Sequence, residues 1–195
     1  MEIKPLFPTL VAIAKAEQPT INAISEEVIQ QKPFLESLLR FSWGDNVLTS
    51  FELEKNIFAA AKLHALKQFV EQNMIEFVQA TREQASWRFD ENYTQSWVNI
   101  TRKYGFQERH NHERNVDGLP ISGVYYFNTN GLDGALSVCP GDLQYKYFGN
   151  FDVEPEVGKL VLFRSEVFHR VAANLTDSDR VSFAFNYLLV KASAA

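Results

Sequence analysis

Arg180-Val181-Ser182-Phe183-Ala184-Phe185-Asn186-Tyr187 alternates at every position. Successive side chains of a strand project to opposite faces. Val181, Phe183, Phe185 and Tyr187 therefore make one wholly apolar face, while Arg180, Ser182, Ala184 and Asn186 make the other. The pattern predicts a strand from Arg180 to Val190 with its apolar face in a core.

Two neighbouring segments carry the same period, Ser96 to Arg102 and Ser122 to Asn128. Lys159 to Phe163 is a short apolar run after Pro155 and Gly158. Asn130-Gly131, Pro140-Gly141 and Asp177-Ser178 punctuate these runs as turns. Several short strands from Trp87 onward, with no long helix between them, imply an antiparallel sandwich or barrel.

Upstream the period changes. Leu6 to Ala12 reads as a short strand interrupted by Pro8, and Thr20 reads as the N-cap of a helix carrying Ile21, Ile24, Val28 and Ile29. Pro33 to Thr49 reads as loop with a short helix. From about Asn56 to about Arg82 one longer helix is predicted, with Ala61, Ala65, Leu66, Phe69, Val70, Phe77 and Val78 on one stripe. That stripe is expected to pack on the apolar face of the last strand. The expected class is α+β, mainly β. Residues 1–195 form a single domain, with a helical support region over 1–86 and a β core over 87–190.

Composition bounds the function. The chain has 195 residues, 46% of them hydrophobic, with 16 Phe, which is enough for one sizeable core. Its formal net charge is −5 and it has no basic stripe, which disfavours a dedicated nucleic-acid binder. With Cys139 the only cysteine, no intramolecular disulfide can form, so a reducing cytoplasm is the simplest compartment. The N-terminus lacks a basic segment before a long apolar run, and no stretch approaches the ~20 apolar residues that span a bilayer. No membrane partner is expected. Oligomeric state leaves no signature here, and a homodimer is compatible with the sequence.

The chemistry lies in the histidines. His110 and His112 stand two apart in Arg109-His110-Asn111-His112-Glu113, and His169 follows in Phe168-His169-Arg170-Val171. In an extended segment both rings of the pair reach one side. Three imidazoles drawn from two strands would bind a transition metal and leave coordination positions open. An exposed pair in a polar loop is the plain alternative. Arg180 and Ser182 share a strand face eleven positions after His169. A guanidinium fork with a hydroxyl beside it suits a carboxylate. Taken alone, Arg180 could equally be a strand-edge arginine in water beside Asp177 and Asp179.

Further segments line up in order. They are Ser96-Trp97-Val98-Asn99, His110-x-His112, Ser122-Gly123-Val124-Tyr125-Tyr126-Phe127, Gly134-Ala135-Leu136, and Val153-Glu154-Pro155-Glu156-Val157-Gly158-Lys159-Leu160-Val161-Leu162-Phe163. Together with His169 and Arg180-x-Ser182 they resemble the iron(II)/2-oxoglutarate-dependent dioxygenase superfamily. Within it they resemble the small 2-oxoglutarate/iron oxygenases of phages and marine bacteria. The resemblance spans roughly Ser96 to Leu188.

The resemblance implies a double-stranded β-helix, jelly-roll or cupin-like, braced by the N-terminal helices. It implies Fe(2+) and 2-oxoglutarate as cofactor and cosubstrate. His110, His112 and His169 would hold the metal. The family places an acid where His112 stands, so Glu113 is the alternative to His112. Arg180 and Ser182 would bind the distal carboxylate, with Tyr125 and Asn99 as further contacts. Tyr125 and Tyr126 alternate, so at most one of them points inward. The implied activity couples oxidative decarboxylation of 2-oxoglutarate to succinate with C–H oxidation, most commonly hydroxylation, of an unidentified small-molecule or peptide substrate. The competing readings are a cupin-like metal protein that does not use 2-oxoglutarate and a non-catalytic binding module.

Overall fold

The computed structural model describes residues 9–42, 44–52, 56–81, 86–139 and 149–192. Leu6–Pro8 of the expected first strand, the Arg82 end of the long helix and the Pro140-Gly141 turn lie outside the described residues.

Two antiparallel sheets face each other. The larger contains β1 (Val11–Lys15), β2 (Arg40–Phe41), β3 (Val47–Thr49), β4 (Trp87–Phe89), β5 (Gln95–Thr101), β7 (Leu119–Asn128), β10 (Lys159–Arg164) and β12 (Arg180–Lys191). Their order is β1-β10-β7-β12-β5-β3-β2, with β4 pairing the far end of β12. The smaller contains β6 (Gln107–His110), β8 (Leu136–Cys139), β9 (Phe151–Val153) and β11 (Phe168–Val171), in the order β6-β11-β8-β9. This is the mainly β, double-stranded β-helix architecture that the sequence led us to expect.

Three helices brace the larger sheet: α1 (Gln18–Ser37), α2 (Ile57–Ala60) and α3 (His64–Thr81). The apolar face of β12 packs beneath them, with Phe58 of α2 between Phe183 and Phe185 at centroid distances of 6.4 and 6.0 Å. Leu66, Val70, Met74 and Phe77 of α3 complete that core. A smaller apolar cluster of Tyr126, Leu136, Val153, Val161 and Phe163 lies apart from it.

The helices differ in detail from the reading above. The first begins at Gln18, with Glu17 rather than Thr20 at the cap and a proline in its first turn, a position where the missing N–H costs nothing. It runs through Pro33 to Ser37, where a loop with a short helix was expected, and buries Leu35 in its last turn. Arg40–Phe41 and Val47–Thr49 then pair as strands. The expected single helix from Asn56 is two helices. Asn56 Oδ1 caps α2 by accepting from the Ala59 N–H at 3.3 Å. The chain then turns at Lys62, whose φ of 53° ends the helix, and the Leu63 N–H reaches the Phe58 carbonyl at 2.9 Å. The break lets Ala61 and Leu63 stay fully buried. Glu27 of α1 receives the Ala65 N–H at 2.9 Å and so caps the restarted helix from outside.

Candidate metal and cosubstrate site

β6 and β11 are neighbours in the smaller sheet, and their register sets His110 directly opposite His169. β6 ends at His110, so His112 lies just past the strand rather than on it. Its backbone N–H donates to the Ser165 carbonyl at 2.8 Å, which ties the loop down. The three rings converge, with centroid separations of 4.3, 5.0 and 5.2 Å. One nitrogen from each lies within 4.8 Å of the others, close enough to share one cation. Glu113 is exposed and stands outside this group. The chain does not bulge to bring its carboxylate in, so the cluster is built from imidazoles.

Two of the rings are oriented by their own backbone. His110 Nδ1 lies 2.7 Å from the Glu108 carbonyl and His169 Nδ1 3.0 Å from the Val167 carbonyl. A carbonyl only accepts, so each Nδ1 carries the proton and each Nε2 presents its lone pair. Burial keeps the rings neutral. It pushes His169 down to about 3, helped by the neighbouring His110 and His112. His112 falls to about 4, chiefly through burial, with His110 and Arg114 adding repulsion. His110 is lowered by burial, with its backbone bond opposing. Neutral imidazoles are the form that ligates a metal.

The same cavity continues between the sheets to Arg180 and Ser182, and Thr49, Trp97, Asn99, Thr101 and Tyr126 also line it. Arg180 is 2% exposed. Its Nη1 donates to the Asp133 and Gly134 carbonyls at 2.5 and 2.7 Å, and Nη2 donates to Thr101 Oγ1 at 3.2 Å. All three acceptors are uncharged, and burial lowers the arginine's pKa from its usual value. A guanidinium nevertheless stays protonated. The site therefore holds a buried cation at one end and three neutral nitrogen donors at the other. Asn99 lies between them, opposite Ser182 in the sheet register, and its buried Oδ1 has no hydrogen-bond partner. Buried polar groups are rarely left so.

Tyr125 was expected among the cosubstrate contacts, and the structure corrects that. Cross-strand partners share a face, and the register pairs Ser182 with Tyr126 but Phe183 with Tyr125. Tyr125 consequently lies on the helix side, edge-on to Phe69 at 6.0 Å. Tyr126 occupies the cavity, where burial raises its phenol to about 12 and keeps it a donor. Alternation left the parity of this pair open, and only the pairing with β12 decides it. Trp97 is a cavity wall, edge-on to His112 at 5.9 Å.

A buried guanidinium lining the same cavity as three nitrogens that could hold a metal suits a 2-oxo acid held on a metal. Residues 95–186 match the model of a family described as "Putative 2OG-Fe(II) oxygenase". That segment is similar to the 2OG-Fe(II) oxygenases. No curated protein sequence matches this chain. Solved structures share its fold. A prolyl-4-hydroxylase from Pseudomonas putida superposes with a TM-score of 0.62 at 18% identity, over 92% of this chain and 92% of that one. A prolyl hydroxylase from Trichoplax adhaerens, in complex with a hypoxia inducible factor degradation-domain peptide, gives 0.64 at 14%, over 91% and 83%. HygX from Streptomyces hygroscopicus, with nickel, 2-oxoglutarate and hygromycin B bound, gives 0.62 at 14%, over 92% and 83%.

Proposed function

We propose that this oxygenase hydroxylates a C–H bond of a small molecule or peptide, with His110, His112 and His169 as the iron(II) ligands and Arg180 as the anchor of 2-oxoglutarate. One observation carries the reading: three neutral imidazoles and a buried guanidinium face the same cavity. The donor set suits iron, since nitrogen ligands serve first-row divalent metals and three of them leave positions for other ligands. The unpaired oxygen of Asn99 and the buried fork of Arg180 are polar groups in the cavity that suit a polar ligand. Bound together, iron and 2-oxoglutarate would supply activation of dioxygen, with one oxygen atom ending in succinate as carbon dioxide leaves and the other in the hydroxylated substrate.

The protein's own contribution is placement. Arg180 takes the distal carboxylate by charge-assisted hydrogen bonds, and Ser182 and the Tyr126 phenol add donors on the same face. Rotating the Asn99 amide brings its Nδ2 inward as a further donor. The Glu108 and Val167 carbonyls hold two imidazoles in the ligating tautomer. The closely packed inner wall of Leu136, Phe163 and Val171 keeps water from the chemistry.

The substrate side is read from the rest of the cavity. Ser42, Val47, Thr49 and Phe51 line a lobe built by β3 and its flanks. These residues lie outside the matched segment 95–186, so we assign substrate choice to them and the common chemistry to the matched segment. We read residues 1–195 as one domain working in the cytoplasm. Among the described residues no helix is long and apolar enough to cross a membrane.

The test is succinate formation from 2-oxoglutarate by iron-loaded protein, together with binding of 2-oxoglutarate to native protein and to Arg180→Ala. Succinate release and a binding loss of at least about 10-fold in the variant are expected, since a hydrogen bond to a charged group is worth about 1.5–3 kcal/mol. Equal binding by both proteins would leave only a metal-binding barrel.

A further inference from the structure

Asp133 belongs to none of the groups assigned above, yet it is fully buried and its own carbonyl grips Arg180. Its carboxylate accepts from Thr129 Oγ1 at 2.7 Å and from the Asn130 N–H at 3.1 Å. Thr129 Oγ1 in turn accepts from the Gly131 N–H at 3.0 Å, and Asn130 Oδ1 from the Leu132 N–H at 2.9 Å. These bonds curl residues 129–134 into a tight turn between β7 and β8. Gly134 has a φ of 102°, and a Cβ there would meet the Ala172 carbonyl oxygen at 2.3 Å and Arg180 Nη1 at 3.0 Å. The turn is thus packed against the guanidinium with no room for a side chain.

The curl aims two successive carbonyls at one nitrogen. Nη1 has two protons, and the Asp133 and Gly134 oxygens take both. Any anion in the cavity must then meet the remaining edge of the fork, at an angle that the turn sets. The charge of Asp133 also matters. Among the described residues it makes no ion pair with Arg180, yet it is close enough to favour the arginine's charged form. A carboxylate directly on the fork would compete with a ligand, whereas one held back within the turn offsets the buried charge and leaves the fork open.

We propose that Asp133 is a positioning residue for the cosubstrate anchor, holding the 129–134 turn so that Arg180 presents a fixed fork to the distal carboxylate of a 2-oxo diacid. The inference rests on the assignment of Arg180 as that anchor.

The test is calorimetric titration of nickel(II)-loaded protein with 2-oxoglutarate and with 2-oxopentanoate, which has the same length but no distal carboxylate. Asp133→Asn keeps the size of the side chain and removes its charge and one acceptor. It is expected to weaken 2-oxoglutarate about 10-fold and to change 2-oxopentanoate by less than about 2-fold, so that discrimination between the two acids shrinks. Thr129→Val keeps the charge and removes one bond of the turn. It is expected to lose the same discrimination by about 3-fold, and it carries the test should Asp133→Asn fail to fold. A general structural role would weaken both acids alike, and that result, or unchanged discrimination, overturns the proposal. Arg180→Ala separates the two levels. If it keeps native discrimination, the anchor assignment itself falls. If it loses discrimination while both turn variants retain it, only the role of Asp133 falls.

Discussion

The two sheets divide the work of the site and are stabilised differently. The larger sheet carries the guanidinium and the hydroxyl on one face and rests its other face on three helices. The smaller sheet carries two of the three imidazoles, and its outer strands are open, with Glu108, Arg109 and Phe151 exposed. Among the described residues, five buried apolar side chains make the minor core, against more than twenty in the major one. Burying a lone cation is costly, so Arg180 sits on the sheet whose helix-covered face provides most of the burial energy. Neutral imidazoles demand less of their scaffold. They sit on the weaker sheet, where a shared metal would tie β6, β11 and the His112 loop together.

The largest effect should come from the frame. Phe185→Ala removes a fully buried ring in contact with Phe58 and Tyr187. A loss of about 3–5 kcal/mol in unfolding free energy is expected by denaturant titration, as for other buried Phe-to-Ala changes. A loss under about 1 kcal/mol would contradict the larger sheet as the frame. His169→Ala should act on the other sheet and in another way. Metal affinity is expected to fall at least about 100-fold, beyond the 10–100-fold typical of changes to outer partners. In native protein a saturating metal at about 100 times its dissociation constant adds about 2.7 kcal/mol of stability, and the variant should lose that increment. If metal still raises the melting temperature of His169→Ala by the native amount, the cluster is not the metal site.

Arg180→Lys comes next and should split binding from scaffold. A lysine keeps the charge but has no fork, and its three donors are too few for the Asp133 and Gly134 carbonyls, Thr101 Oγ1 and a ligand at once. Affinity for 2-oxoglutarate should fall about 10-fold, while metal affinity, measured without 2-oxoglutarate, stays within about 2-fold. A parallel loss of both would mean that the sheets are coupled more tightly than the division above allows.

How much of this was legible in the sequence differs along the same division. β12 and its two faces were readable because one face is wholly apolar and the period is strict. The His110/His112 pair was readable because histidine is scarce and its spacing local, and His169 because it precedes Arg180-x-Ser182 by the interval the resemblance requires. What depended on register was not. Tyr125 and Tyr126 are equivalent by alternation, and only the β12–β7 register, which pairs Ser182 with Tyr126 and Phe183 with Tyr125, puts Tyr126 on the face of Arg180. The break at Lys62 was hidden because the apolar stripe continues through it. Asp133 gave no signal, since an acid in an Asn-Gly turn is ordinary until its carbonyl is seen on a buried arginine.

The smallest expected effect concerns Asn99, which lies on the larger sheet but serves the space between the two. Its Oδ1 is buried and unpaired. A buried polar group with no partner contributes little or negative stability, because its lost hydration is not repaid. Asn99→Ala should therefore change the unfolding free energy of ligand-free protein by no more than about 1 kcal/mol, packing loss and relief of the unpaired oxygen working against each other. With 2-oxoglutarate present the amide gains a partner, and the variant should bind it about 5-fold more weakly, as one hydrogen bond of about 1 kcal/mol requires. The two measurements must diverge for the reading to hold. A variant that loses several kcal/mol of stability but binds 2-oxoglutarate normally would make Asn99 a structural residue of β5, and the cavity would then begin at Ser182 on the neighbouring strand.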